Sequence, residues 1–213
     1  LIARSAKRTF LYAGNLGAVQ GLHELVDAFA LVPEVDLILL GAGVERDSLV
    51  RQAEQHSNVT VLPPVHHEVA ERYLGAADVL VVSLSDSPLL RATLPSKVQA
   101  YLRAGKPILA HASGDVASIV SRHGIGASCT PGNTTETVSA IHELALTPQE
   151  GLAAMGTAAQ NTYESSFSPE IGVARLESLL IEAQRASTHE REDQRDAGHH
   201  WWDRGLRRRR RAT

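Results

Sequence analysis

The sequence has little that could staple, react or insert into a bilayer. It holds one cysteine in 213 residues, which excludes an internal disulfide framework and a cysteine-rich zinc module and suits a reducing compartment. No apolar run approaches the ~20 residues that a membrane-spanning helix needs. A positively charged stretch followed by an apolar one, the mark of a secretory signal, is absent from the start. There is no Gly-x-Ser-x-Gly elbow to support a hydrolase triad. The ten histidines lack the His-x-x-x-His spacing of a zinc helix. Adjacent pairs such as His66-His67 and His199-His200 do not share a helix face, so no metal site is expected. The net charge of −3 offers no general case for nucleic acid, and none is expected as a partner. The chain opens Leu1-Ile2-Ala3-Arg4 without Met, and the expectation is a piece of a longer protein.

Hydrophobic residues make up 43% and charged residues 21%, enough to build a packed core. The length fits one domain, or one domain and a tail. Regular apolar spacing stops near Ala186. From Arg185 onward nine arginines face five acidic residues, and both tryptophans, Trp201 and Trp202, fall there. The expected division is a domain over residues 1–186 and a disordered, arginine-rich tail over 187–213. The run Arg207 to Arg211 also suits a peripheral contact with anionic lipid, at roughly 1 kcal/mol per arginine.

Between residues 9 and 184, short apolar runs alternate with helical patterns. Thr9 to Ala13, Asp36 to Leu40, Asn58 to Leu62, Asp78 to Val82, Pro107 to Ala110 and Gly124 to Cys129 read as strands. Their nearly continuous apolar character suits a sheet buried on both faces. Leu22, Leu25, Val26 and Phe29 follow the first strand at helical spacing, and helices are expected near Glu45 to Gln55 and Glu68 to Ala76. Pro95 can open a helix that closes at Gly105, and two or three more helices fill Thr134 to Gln184. This alternation predicts an α/β, Rossmann-like, doubly wound parallel sheet.

In such sheets ligands bind beyond the carboxyl ends of the strands, so the loops there carry the information. Gly14-Asn15-Leu16-Gly17-Ala18-Val19-Gln20-Gly21 lets backbone approach a ligand, but it matches neither the dinucleotide fingerprint nor a Walker loop. Gly41-Ala42-Gly43 begins like the fingerprint and then places Arg46 at the third glycine. Leu94-Pro95-Ser96-Lys97 can gather a hydroxyl, first-turn amides and an ammonium around one anion. Asp86 and Arg91, in the loop from Ser83 to Leu94, are solvated charges or contacts to a ligand hydroxyl. Asp78 and Cys129 read as structural.

Taken together, Gly14-Asn15-x-Gly17-x-x-Gln20-Gly21-Leu22, Leu40-Gly41-x-Gly43, Ala77-Asp78-Val79 and Leu94-Pro95-Ser96-Lys97-x-x-x-Tyr101-x-x-x-Gly105-Lys106-Pro107 resemble one known pattern. It is that of the carboxyl-terminal, donor-binding half of GT-B glycosyltransferases, in the Pro-Ser-Lys branch of family 4 (group 1). The resemblance covers about residues 9 to 170. It implies a retaining transferase that moves a hexose from a nucleoside-diphosphate sugar to a glycan or lipid-linked acceptor, in polysaccharide biosynthesis, in the cytoplasm or at the inner face of the membrane. The implied donor site comprises Gly14, Asn15, Leu16, Gly17 and Gln20 at the diphosphate. Leu62, Pro64 and Val65 would face the base, and Pro95, Ser96 and Lys97 the phosphates or sugar. No catalytic residue is assigned, and no metal or other cofactor is implied. Many relatives carry two glutamates eight apart where this chain has Ala92 and Ala100, and the second normally contacts the ribose. The amino-terminal acceptor domain is missing, so the chain is expected to be incomplete for activity. A degenerate, non-catalytic nucleotide-binding module and a GT-B-type sugar-nucleotide epimerase are the alternatives.

Overall fold

The computed structural model describes residues 7–184. Six strands form one parallel sheet: β1 (Arg8–Asn15), β2 (Val35–Ala42), β3 (Val59–Leu62), β4 (Val79–Ser83), β5 (Ile108–His111) and β6 (Gly126–Cys129). Their order is β3-β2-β1-β4-β5-β6. The chain therefore winds outward from β1 on one side, returns to β4, and winds outward on the other. This is the doubly wound, Rossmann-like arrangement expected from the alternation of strands and helices. Continuous apolar strands form because each strand must bury both of its faces. All five residues of β4 are buried, and so are four of the first five of β1.

The helices are α1 (Leu22–Ala30), α2 (Arg46–Ala53), α3 (His67–Ala76), α4 (Pro88–Arg91), α5 (Ser96–Ala104), α6 (Asp115–Arg122), α7 (Thr134–Leu146) and α8 (Gln149–Ser166). Right-handed crossovers send the helices to opposite faces as the winding reverses. On one face α1 contacts both α2 and α7; on the other α3 contacts α5. The first face carries the main core. There Leu25, Val26 and Phe29 of α1 meet Phe10, Tyr12, Leu37 and Leu39. The rings of Phe10 and Phe29 stand edge to face, with centroids 5.2 Å apart, a preferred geometry for aromatic pairs.

Element bounds shift by a residue or two from the sequence reading; α6 is an addition, and so is the short α4. Its start is a Ser-Pro pair: Ser87 accepts the Leu90 N–H on its side chain, and Pro88 occupies the first helical position. Cys129 is buried in β6, and burial raises its thiol to about 11. Asp78 accepts the Thr9 N–H at 2.8 Å, tying β4 to the start of β1.

By compactness the chain divides into two units, Leu1–Ser165 and Ser166–Thr213. The described part of the second contains helix α9, residues 169–184. It leaves Val173, Leu176, Leu179, Leu180 and Ile181 exposed. The tail expected over 187–213 lies outside the described residues. No helix among the described residues is long and apolar enough to cross a membrane.

Asn58 sits just before β3 and works as a clamp rather than as a strand residue. Its buried Nδ2 donates toward the carbonyls of Phe29 (2.9 Å), Val32 (3.2 Å) and Val35 (3.0 Å), and its own carbonyl accepts the Leu37 N–H. One side chain thus holds the turn between α1 and β2 against the outer strand. Asn58→Ala is expected to lower stability by about 2 kcal/mol. Asn58→Asp should cost more, because an acceptor would face three carbonyls. Urea unfolding checks both, through a lower midpoint at unchanged slope.

Candidate functional site

The sheet's winding reverses between β1 and β4, and the two strands are paired only at Phe10–Val79 and Leu11–Leu80. Beyond Leu11 they part, which opens the crevice that such sheets use for ligands. Parting leaves β1 backbone groups without a strand partner. At Ala13 the hydroxyl of Tyr101 supplies both: it accepts the Ala13 N–H at 2.9 Å and donates to the Ala13 carbonyl at 3.1 Å. Tyr101 is buried, and burial raises its pKa well above the usual phenol range. The hydroxyl therefore stays neutral.

Lys97 lies one turn before Tyr101 on α5 and so shares its face. Its Nζ lies 3.7 Å from the centroid of the Tyr12 ring and donates to the Tyr12 hydroxyl at 2.5 Å. That hydroxyl in turn donates to the Asn15 carbonyl at 2.7 Å. A side chain added at Gly14 would place its first carbon 3.1 Å from Nζ, so the ammonium lies against the glycine loop. Burial pulls Lys97 down from 10.5 to about 7. Among the described residues no carboxylate comes within ion-pair distance of it. The site thus holds an amine that titrates near neutral pH, set against a ring face and without a counter-charge among the described residues.

The glycine loop is partly committed to the fold. Leu16 is wholly buried; its N–H donates to the Ala42 carbonyl at 2.7 Å, and its carbonyl accepts the Glu45 N–H at 2.9 Å. Its side chain has no access to a ligand, and its amide is already used. Gly17 is buried and gives its N–H to Gln20 Oε1 at 3.0 Å, which also accepts from Asn15 Nδ2 at 3.3 Å. Gly14 and Asn15 are exposed and line the cavity beside this loop, whereas Gln20 Oε1 is used within the loop itself. Gly41 and Gly43 serve clearance. A Cβ at Gly41 would lie 1.8 Å from the Gly14 carbonyl oxygen, and one at Gly43 would lie 2.2 Å from that of Leu16.

Pro64 and Val65 line a cavity of about 420 Å³ together with Gly14, Asn15 and Leu40. Leu62 is half-buried, pairs with Leu40 across the sheet, and is not among the residues lining that cavity. Pro95 caps α5 with an extended backbone, at φ −63° and ψ 143°. The amides of Ser96 and Lys97 then have no acceptor within the helix. Ser96 is exposed, with a free hydroxyl among the described residues. A second cavity of about 290 Å³ lies between α3 and α5 and has Ala13, Lys97, Ala100 and Tyr101 in its wall. Ala13 lines both cavities. Asp86 and Arg91 bind each other through two bonds of 2.7 Å, which holds the Asp86 carboxyl below its usual range.

One support was missed by sequence reading. The carbonyls of Ala18, Val19 and Gln20 all accept from the end of β4 and the loop after it: from Ser85 Oγ at 3.3 Å, Ser85 N–H at 2.9 Å and Ser83 Oγ at 2.6 Å. Ser83 is fully buried and lies beside His111 in register, with its Oγ 2.8 Å from His111 Nδ1. The Ser83 proton goes to the Gln20 carbonyl, so the ring donates from Nδ1 and its tautomer is assigned. Desolvation lowers the His111 pKa. The only trace of this in the sequence is a polar residue at the last position of each of two apolar strands.

Comparison with known proteins places the chain in a family. The profile of the glycosyl transferases group 1 family matches residues 2–162, and the chain belongs to that family. It is similar to the "Probable glycosyltransferase WbjE" of Pseudomonas aeruginosa, at 26% identity over 176 residues, covering 80% of this chain and 43% of that protein. Its fold is similar to that of sucrose-phosphate synthase from Thermosynechococcus elongatus, with TM-score 0.70, 22% identity, and coverage of 85% of this chain and 46% of the other. Anabaena Alr3699/HepE, solved in complex with UDP, gives TM-score 0.67 and 20% identity over 84% of this chain and 49% of its own. The chain thus spans under half the length of these relatives.

The Ser83–His111 pair carries a prediction. Ser83→Ala removes the bond to the Gln20 carbonyl and leaves a buried ring N–H unsatisfied. A loss of about 1–3 kcal/mol is expected, with faster amide hydrogen exchange across residues 17–21. Unchanged exchange in that loop would show that Ser83 does not anchor it.

Proposed function

We propose that this domain is the donor-binding half of a retaining glycosyltransferase, and that it holds a nucleoside-diphosphate hexose in the crevice between β1 and β4. The observation that carries the reading is Lys97: a half-buried amino group against Gly14, with no carboxylate partner among the described residues. A buried cation without a counter-ion is costly, and a diphosphate would relieve that cost. Gly14, Asn15 and Gln20 would flank the phosphates on the loop side. The first-turn amides and hydroxyl at Ser96 would approach them from α5, whose amino-terminal dipole favours negative charge. Pro64 and Val65 would bound the base on the opposite side.

In transfer, the sugar–phosphate bond breaks and charge develops on the departing diphosphate. Lys97 and the α5 amides are aimed where that charge grows, so they would stabilise the transition state more than the ground state. The complex of Alr3699/HepE with UDP-glucose supports a nucleoside-diphosphate hexose as donor. The resemblance to the Pro-Ser-Lys branch of family 4 supports retention at the anomeric carbon and a glycan or lipid-linked acceptor. The acceptor would be held by residues outside this chain.

Calorimetric titration of the chain with UDP, ADP and GDP and with their nucleosides tests this reading. Lys97→Ala should weaken the preferred diphosphate about 10- to 100-fold and leave the nucleoside within about twofold. Equal losses for both would overturn the role of Lys97. The pH dependence has a definite sign. Free Lys97 releases its proton near pH 7, and a bound diphosphate favours the charged form. Binding at pH 8 should therefore take up a proton, and affinity should fall as pH rises above 7. Titrations in buffers of different ionisation enthalpy measure that uptake directly.

A further inference from the structure

The cavity between α3 and α5 adjoins the diphosphate seat through Lys97 and Ala13, and it holds a single carboxylate, Glu71. Its remaining surface is mostly apolar, with Leu74 of α3 opposite Ala100 and Ala104 of α5. Small residues on α5 leave room for a ring, and no acid projects from that helix into the space. Glu71 is fixed on one side only. Its Oε1 accepts from Arg103 Nη2 and lies 3.4 Å from His67 Nε2, while Oε2 has no partner among the described residues. Arg103 therefore sets the position of a carboxylate that still has an oxygen and several lone pairs to offer.

A nucleoside diphosphate carries its ribose next to the phosphates, and the ribose presents a vicinal pair of hydroxyl donors. A carboxylate accepts from both at once and gains the added strength of a charged acceptor. We propose that Glu71, positioned by Arg103, accepts the ribose 2′- and 3′-hydroxyls of the nucleoside diphosphate bound against Lys97. This assignment rests on the donor-site reading above. It places the carboxylate on α3, whereas the α5 position facing the same cavity is Ala100. The site would thereby select ribonucleotides over deoxyribonucleotides.

The test is calorimetric titration of the full chain and its Glu71→Ala variant with UDP, ADP and GDP and with their 2′,3′-dideoxy counterparts. For the preferred base, the unaltered chain should bind the ribonucleotide about tenfold or more tighter than the dideoxy form. Glu71→Ala should bring that ratio close to one and leave dideoxy affinity within about twofold. Loss of the Arg103 contact alone would weaken both ligands alike, so the ratio isolates ribose recognition from a structural effect. A ratio unchanged in Glu71→Ala overturns this assignment and leaves the donor site standing. Failure of the unaltered chain to bind any of the three diphosphates overturns both.

Discussion

Where β1 and β4 part company, the backbone of Ala13 is completed by a side chain instead of a strand. The Tyr101 hydroxyl does for Ala13 what a neighbouring strand would do, donating and accepting at once. Without it, opening the sheet would leave buried polar groups unsatisfied, at about 1–3 kcal/mol each. The crevice can therefore exist only because α5 is docked there. The same docking delivers Lys97, one turn earlier on the same face, to Gly14. Support of the sheet and presentation of the cation are two consequences of one helix position.

Lys97 itself works against the stability of the fold. Its proton is held near pH 7, whereas a free lysine keeps its proton to about 10.4. The unfolded chain therefore binds more protons between those values, and by linkage stability rises with pH across that window. The Tyr12 ring face offsets part of the cost by a cation–π contact. The glycine loop has the complementary economy: Leu16 and Gly17 spend their amides on the fold, and the carbonyls of Ala18, Val19 and Gln20 are tied to the end of β4 and the loop after it. The loop is held firmly so that Gly14 and Asn15 keep their places.

Strands β1, β2 and β4 and helix α1 were legible because continuous apolar runs and helical spacing each have one physical explanation, burial on two faces or on one. The gathering of the glycine loop and Pro-Ser-Lys at one sheet edge followed from strand order, and the distance between Gly14 and Lys97 agrees with it. The reach of Leu16 was not legible, since an apolar loop residue can face a ligand or the core. Asn58 was read as the first residue of a strand, because its three acceptors lie more than twenty residues away in sequence. Glu71 drew no notice at all, as one of two acids on a polar helix.

The sequence by itself determined the α/β class, the carboxyl-edge loops as the candidates for a site, and the family resemblance, because each depends on periodicity or on spacing within short segments. Only the tertiary structure decided which polar groups are spent and which remain free. Ser83 with His111, Tyr101 with Ala13, and Glu71 with Arg103 are partners across long separations in the chain. A hydrogen bond forms by proximity in space, and proximity between distant residues exists only once strands and helices have packed.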